Sequence, residues 1–241
     1  MPYDGVAVAF LMGSSQEIWT AAHNFETQIL DTMLAEKAVG RDGYDRVFPS
    51  LIPEFLLLNE SLEIVFDSRR NLSQPTYLFH GDPIFQREII ENEVKKIGLS
   101  SSAVENRNYR KKLSDFARIK LPFALPNPYF KRAQSAPPGS GEKVWLSLPT
   151  GVETKTRQAA NELPNYHLKG DDLGKDLLVE KFLIYYLSHS IVGTSGSPVL
   201  NGAGDVVAIH IAGDENIGIA ARLDWAEELT RLTSATASDS P

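Results

Sequence analysis

Short runs rich in β-branched and aromatic residues recur along the chain between turn-forming clusters, whereas long stretches with apolar residues three and four apart are scarce. An apolar period near two belongs to strands and one near 3.6 to helices, so the pattern predicts a mostly β architecture. The runs are Val6 to Leu11, Leu62 to Phe66, Val144 to Leu148, Phe182 to Leu187 and Val206 to Ile211. Asn201-Gly202-Ala203-Gly204 supplies the glycine-rich chemistry of a hairpin loop, which predicts that Pro198 to Leu200 pairs with Val206 to Ile211. Within Gln86 to Ile97, the spacing of Ile89, Ile90, Val94 and Ile97 predicts a helix inserted in the first half, with an irregular strand as the alternative. Near the end, Asp224 and Glu227 have the spacing of an N-terminal capping box. Leu223, Trp225, Leu229 and Leu232 supply an apolar face behind it, so a terminal helix is expected.

Pro122 to Glu142 holds five prolines and two glycines, the composition of a connector rather than a strand. It divides the chain into a first half, residues 1–125, and a second half, residues 143–233, with 126–142 as the link. Residues 234–241 are small and polar and are expected to be a flexible tail. No internal repeat is evident.

With 241 residues and 42% hydrophobic composition, the chain can bury a full core without staples. Its 24 basic and 31 acidic residues leave a net charge of −7, which argues against nucleic acid as a partner. There is no cysteine, so disulfides, thiolate zinc sites and a thiol nucleophile are all excluded. Any covalent chemistry must use oxygen or nitrogen. The five histidines are scattered and no H-E-x-x-H pattern occurs, so neither a metal nor another cofactor is expected. The first residues lack a basic region ahead of a short apolar run, and no apolar stretch is long enough to span a bilayer. A soluble, cytoplasmic protein without a membrane partner is therefore expected.

Candidate chemistry centres on Gly193-Thr194-Ser195-Gly196-Ser197-Pro198-Val199. Two glycines bracketing a serine permit a tight bend that exposes the hydroxyl and turns nearby amide hydrogens toward one point. The plain alternative is an ordinary glycine-serine turn. A serine hydroxyl needs a base to take its proton, and His23, in Trp19-Thr20-Ala21-Ala22-His23 after an apolar run and a polar turn, is expected at a strand end. The base in turn needs a carboxylate to orient it and to stabilise its charged form. Asp115 opens an alternating strand whose Ala117, Ile119 and Leu121 would share one face; a turn or capping role is the plain alternative. Asp67 and Asp82 rank below it because neither opens a strand of that character.

The segments TAAH, SDFARIKL and GTSGSPV, in that order, resemble the histidine, aspartate and serine boxes of chymotrypsin-like and trypsin-like serine proteases. The run SPVLNGAGDVVAIHIAG looks like the paired strands that follow the nucleophile in bacterial glutamyl endopeptidases. NIGIAARLDWAEEL looks like the last strand and terminal helix, and KVWLSLPTG like a strand opening a second barrel. The resemblance implies two six-stranded antiparallel β-barrels with the site between them, a C-terminal helix, and a large insertion taking up much of Asn24 to Arg110, where no family-like motif occurs. It implies a serine endopeptidase with His23, Asp115 and Ser195 as triad and the amides of Gly193 and Ser195 as oxyanion hole. One departure stands out: Thr194 occupies the position where trypsin has an aspartate, so the ion pair that trypsin forms after activation cleavage cannot form here. Regulation would need a partner, a loop rearrangement or an attached domain.

By the same resemblance, the substrate pocket would be walled by His189, Ser190, His210 and the strand Ile211-Ala212-Gly213. His210 matches the histidine that, in glutamyl endopeptidases and picornaviral main proteases, contacts an acidic or amide side chain. A histidine and a hydroxyl suit a carboxylate or carboxamide, which implies a protein or peptide substrate with Glu, Asp or Gln on the acyl side of the cut. The plain alternative for His210 is a core histidine satisfied by a backbone carbonyl. His80 and His167 have no motif context and are expected on the surface or in loops. The basic run Arg107 to Lys112 is expected to be a solvated face, with guidance of an acidic partner as the alternative. Two other functions compete: a protease-like fold kept as a silent peptide-binding module, and an esterase. The G-T-S-G run does not match the nucleophile elbow of the latter.

Overall fold

The computed structural model describes residues 6–37, 51–59, 61–81, 86–97, 107–134, 143–148, 158–160, 181–187, 193–213 and 217–238. His167, His189, Ser190 and Asp82 lie outside them.

The first half is organised by a four-stranded antiparallel sheet in the order β1-β2-β6-β5. Its strands are β1 (Phe10–Leu11), β2 (Glu17–Thr20), β5 (Thr76–His80) and β6 (Ala117–Lys120). Alternation sends neighbouring side chains to opposite faces. Ile18 and its cross-strand partner Ile119 enter a core with Phe25, Ile29, Phe55 and Phe66, whereas Trp19 enters the core shared with the second half. A separate two-stranded hairpin, β3 (Leu56–Leu58) and β4 (Ile64–Asp67), covers the first of these cores.

Among the described residues the second half is one six-stranded antiparallel sheet, order β8-β7-β10-β11-β12-β9. It comprises β7 (Lys143–Leu146), β8 (Gln158–Ala160), β9 (Leu183–Leu187), β10 (Pro198–Leu200), β11 (Val206–Gly213) and β12 (Ile217–Arg222). The expected hairpin forms, with Pro198 opposite Ile209 and Val199 opposite Ala208. Strand β11 is apolar on both faces: Val206, Ile209 and Ile211 pack into the core shared between halves, and Val207 and Ala208 into the core of the second half.

The mostly β architecture with a C-terminal helix is as expected; among the described residues of the first half the strands form a sheet of four and a hairpin of two. Within Asn24 to Arg110, β5 belongs to the first sheet and pairs with β6. Val6 to Leu11 is a strand only at Phe10–Leu11.

Four α-helices complete the described structure: α1 (Glu26–Ala35), α2 (Arg87–Lys96), α3 (Arg107–Ser114) and α4 (Leu223–Ser238). Helix α2 realises the periodicity read over 86–97, burying Ile90 and Val94. Helix α3 contains the basic run, which is not a uniformly solvated face: Arg110 is buried, and Lys111 pairs with Glu26 at 2.6 Å. Helix α4 begins at Leu223, one residue before the expected cap. Asp224 therefore sits inside the first turn, where Oδ1 accepts from Trp225 N–H and from Arg222, while Glu227 pairs with Arg132 of the connector. The capping box does not form. The helix also continues through Ser238, into the segment expected to fray.

Helix α4 braces the two halves together. The buried Trp225 packs on Phe182 with centroids 4.5 Å apart, and its indole Nε1 donates to the Leu113 carbonyl of α3 at 2.7 Å. Thr233 adds a bond to Gln86 at the start of α2. Because Trp225 spans both halves of the shared core, Trp225→Ala is expected to cost about 3–5 kcal/mol through the cavity and the orphaned carbonyl. A matching fall in the denaturant midpoint would be read by equilibrium unfolding.

Candidate active site

One cross-strand row positions the first half of the site. At the end of the first sheet, Thr20 of β2 lies opposite Ala117 of β6, and Ala117 lies opposite His80 of β5. The chain leaves this row at three points. A 3-10 turn, Ala22–Phe25, follows β2 and carries His23; Asp115 lies two residues before β6; Gly81 directly follows β5.

Asp115 is buried and both of its oxygens serve one residue. Oδ1 accepts the backbone N–H of His23 at 2.9 Å, and Oδ2 lies 2.8 Å from His23 Nδ1. Two contacts on one carboxylate fix both the position of the turn and the rotation of the ring. With Nδ1–H donated to the carboxylate, Nε2 is left with its lone pair. Burial works to lower the imidazole's proton affinity, but the Asp115 hydrogen bond and negative charge outweigh it; Lys111 lowers the affinity and Glu26 raises it. The net result is a pKa raised above the ordinary histidine value of 6.5.

The backbone around Asp115 is tightly held. Phe116 stacks between Trp19 and Phe79, with centroids 6.4 and 4.6 Å away. Gly81 N–H donates to the Phe116 carbonyl at 3.0 Å. A Cβ on Gly81 would lie 1.4 Å from the Ser114 carbonyl oxygen, so only glycine permits this approach.

His80, expected on the surface, is buried in the first sheet. Its Nε2 lies 3.0 Å from the Ala22 carbonyl, beside the turn that carries His23. Burial pulls its pKa down to about 4, so it is neutral near pH 7 and its Nε2–H is available to donate. Sequence reasoning missed it because its strand, Thr76–His80, carries no motif; the signal would have been a histidine closing an apolar run.

The Ser195 segment is a tight turn. Ser197 N–H and the Ser197 hydroxyl both donate to the Thr194 carbonyl, at 3.1 and 2.7 Å, closing a four-residue loop with Ser195 and Gly196 at its corner. Gly196 has φ +95°, the left-handed value that a type II turn requires at its third residue. Gly193 also has positive φ, +94°. The turn is seated between halves: Gly196 N–H donates to the His210 carbonyl at 2.8 Å, and Val8 N–H donates to the Ser195 carbonyl at 3.0 Å. Among the described residues no hydrogen bond joins the Ser195 hydroxyl to His23, and the N–H groups of Gly193 and Ser195 have no acceptor.

His210 is fully enclosed on β11. The partner of its Nδ1 is the Tyr186 hydroxyl at 2.5 Å, not the backbone carbonyl that a plain core histidine would use. Burial and the nearby His23 push its pKa down to about 4, and burial pushes the Tyr186 phenol up. Both groups are therefore neutral near pH 7, and a single proton is shared along the line between the phenol oxygen and Nδ1. Ile211 sends its side chain into the shared core at an irregularity in the β11–β12 pairing, so only its backbone is available to a pocket; Gly213 is exposed at the end of the same strand. Asp67 is spent on Arg70 and on its own turn.

A small concavity adjoins the His23 ring, lined by Ala22, Glu26, Leu30, His80, Gly81 and Lys111. Among the described residues no cluster of histidine, aspartate and glutamate could hold a metal ion, and no helix is long and apolar enough to cross a membrane.

No protein-family model matches the chain, and no curated protein matches it by sequence. Solved structures do. The serine endoprotease from Yersinia pestis aligns over 96% of this chain and 60% of its own, with a TM-score of 0.51 at 13% identity. The HtrA-type protease AlgW with decapeptide aligns over 94% of this chain and 50% of its own, with a TM-score of 0.47 at 14% identity. The MamO protease domain from Magnetospirillum magneticum aligns over 95% of this chain and 90% of its own, with a TM-score of 0.49 at 13% identity. This chain thus spans about 60% and 50% of the lengths of the first two. Similarity at this level of identity speaks to fold alone: the chain shares the chymotrypsin-like fold of the serine endoprotease from Yersinia pestis.

Proposed function

We propose that this protein is a serine endopeptidase that hydrolyses peptide bonds through an acyl-enzyme. The observation that carries the reading is the two-point hold of the buried Asp115 carboxylate on His23, next to a Ser195 turn seated against the same corner of the first half. Ser195 Oγ attacks the substrate carbonyl while His23 Nε2 takes its proton, and Asp115 stabilises the imidazolium. The developing oxyanion is met by the N–H groups of Gly193 and Ser195. Collapse of the tetrahedral adduct breaks the peptide bond, and His23 returns its proton to the leaving amine. Water, deprotonated by the same histidine, then releases the acyl group and regenerates Ser195.

His210 supports a preference for Glu, Asp or Gln on the acyl side. Its imidazole is neutral near pH 7, sits on the strand that would wall the pocket, and is held in place by the Tyr186 hydroxyl. Ser190 would add a hydroxyl. A silent peptide-binding module is the second reading, and it is favoured by one observation: no hydrogen bond joins Ser195 to His23 among the described residues, although such contacts often tighten only when substrate binds.

A fluorophosphonate probe separates the two. Covalent labelling of the wild type and none of Ser195→Ala, read by intact mass, is the outcome expected of the endopeptidase; an unlabelled wild type would favour the silent module. Turnover should rise with pH as His23 loses its proton, with a midpoint above 6.5. Asp115→Asn should lower that midpoint and cut kcat by about 10⁴-fold, measured as a pH–rate profile. The stability contributed by the His23–Asp115 pair has the opposite trend. A raised pKa means that the folded state holds the proton more tightly, so this stability is full below the ordinary value and fades as pH climbs through the raised one. Tyr186→Phe should reduce discrimination between Gln and Leu at the cut by about tenfold, the worth of one hydrogen bond, in a peptide-library assay.

A further inference from the structure

Three stretches far apart in the chain meet in one closed ring of hydrogen bonds. Asn24, which follows His23, directs Nδ2 to Thr20 Oγ1 at 2.9 Å and to the Ser195 carbonyl at 3.4 Å. Thr20 Oγ1 lies 2.6 Å from the Val8 carbonyl, and Val8 N–H donates to the Ser195 carbonyl at 3.0 Å. The chemistry allows one direction of donation. The Val8 carbonyl can only accept, so the single Thr20 hydroxyl proton is spent there. Thr20 Oγ1 must then accept from Asn24, and the Ser195 carbonyl can only accept as well. Asn24 therefore has to present both of its N–H groups.

Gly196 closes the ring sterically. A Cβ on it would lie 2.0 Å from the Val8 carbonyl oxygen and 2.3 Å from Thr20 Oγ1, so the turn rests directly on this bond. Thr20 is nearly inaccessible to water, which strengthens its two bonds and makes their loss costly.

We infer that Asn24 is a positioning residue, the keystone of a polar clasp with Thr20 and Val8 that holds the main chain of Ser195 against the turn carrying His23. Two donors on one carbonyl fix the peptide plane between Ser195 and Gly196, and with it the direction of the Ser195 side chain. Asp115 does the corresponding work for the His23 ring. The clasp lets a chain without cysteine hold its nucleophile turn across the junction of its two halves. The inference rests on the reading of Ser195 as nucleophile.

The test is a double-mutant cycle over Asn24→Ala, Thr20→Val and both together, with two readouts. Fluorophosphonate acylation should slow by about 10- to 100-fold in each single variant, the scale of a small misplacement of reacting groups. The pH midpoint of labelling should stay in place, because the His23–Asp115 pair is untouched. The double variant should be hardly slower than the slower single, as expected of one unit, and Thr20→Ser should restore most of the rate. The second readout is amide hydrogen exchange at Val8, which should speed up at least about tenfold in either single variant while the amides of β11 keep their protection. Unchanged Val8 exchange overturns the clasp whether or not the protein is an enzyme, and additive losses in the cycle overturn it too. A wild type that never labels overturns the protease reading instead, and leaves the clasp to be decided by exchange. Should Asn24→Ala fail to fold, Thr20→Val against Thr20→Ser decides the same question on both readouts.

Discussion

The structure turns on a carboxylate kept out of water. A buried, unpartnered Asp115 would be costly, since an ionised carboxyl loses its hydration and regains it only through well-aligned donors. Both oxygens find those donors in a single residue, the backbone and ring of His23. Satisfying the charge and orienting the His23 ring are therefore the same act. The surroundings serve that geometry: Phe116 is clamped between aromatic rings beside the carboxylate, Gly81 allows the backbone before it to come close, and His80 braces the turn on which His23 sits.

The second half faces a different problem, the support of a turn with few apolar side chains of its own. Ser195 and Gly196 are held almost wholly through backbone groups, by Thr194 and Ser197 within the turn, by His210 beneath it, and by Val8 and Asn24 from the first half. Such a turn depends on how the halves are seated. The shared core, in which Trp19, Phe79 and Phe116 meet Phe182, Ile209 and Trp225, is what sets that seating. Helix α4 adds a brace from the far side through the Trp225 indole.

Much of this was legible where local chemistry decides. The hairpin from Pro198 to Ile211 followed from glycine and asparagine between two apolar runs, and helix α2 from apolar spacing. The alternation behind Asp115 correctly gave the buried Ala117, Ile119 and Leu121. Helix α3 escaped notice because Leu113 is its single strongly apolar residue, so it has almost no apolar period to read. The capping box at Asp224 failed because the helix begins one residue earlier, at Leu223, and the Asp224 carboxylate bonds Arg222 and the Trp225 N–H instead. His80 looked unremarkable because its partner, the Ala22 carbonyl, lies 58 residues away.

The chain by itself determined which residues are able to do chemistry: one serine in a glycine-flanked turn, one histidine at a strand end, one acid before an alternating strand, and no thiol. Side-chain type and local spacing are enough for that. Only the tertiary structure decided that Asp115 meets His23 twice, that Tyr186 pairs with His210, and that Asn24, Thr20 and Val8 close around Ser195. Each of these is a hydrogen bond between residues at least 12 and up to 187 positions apart, apart from the Asn24–Thr20 bond at a separation of 4. Donors and acceptors are so common along a chain that their pairing over such separations is set by the packing of the sheets, not by any local pattern.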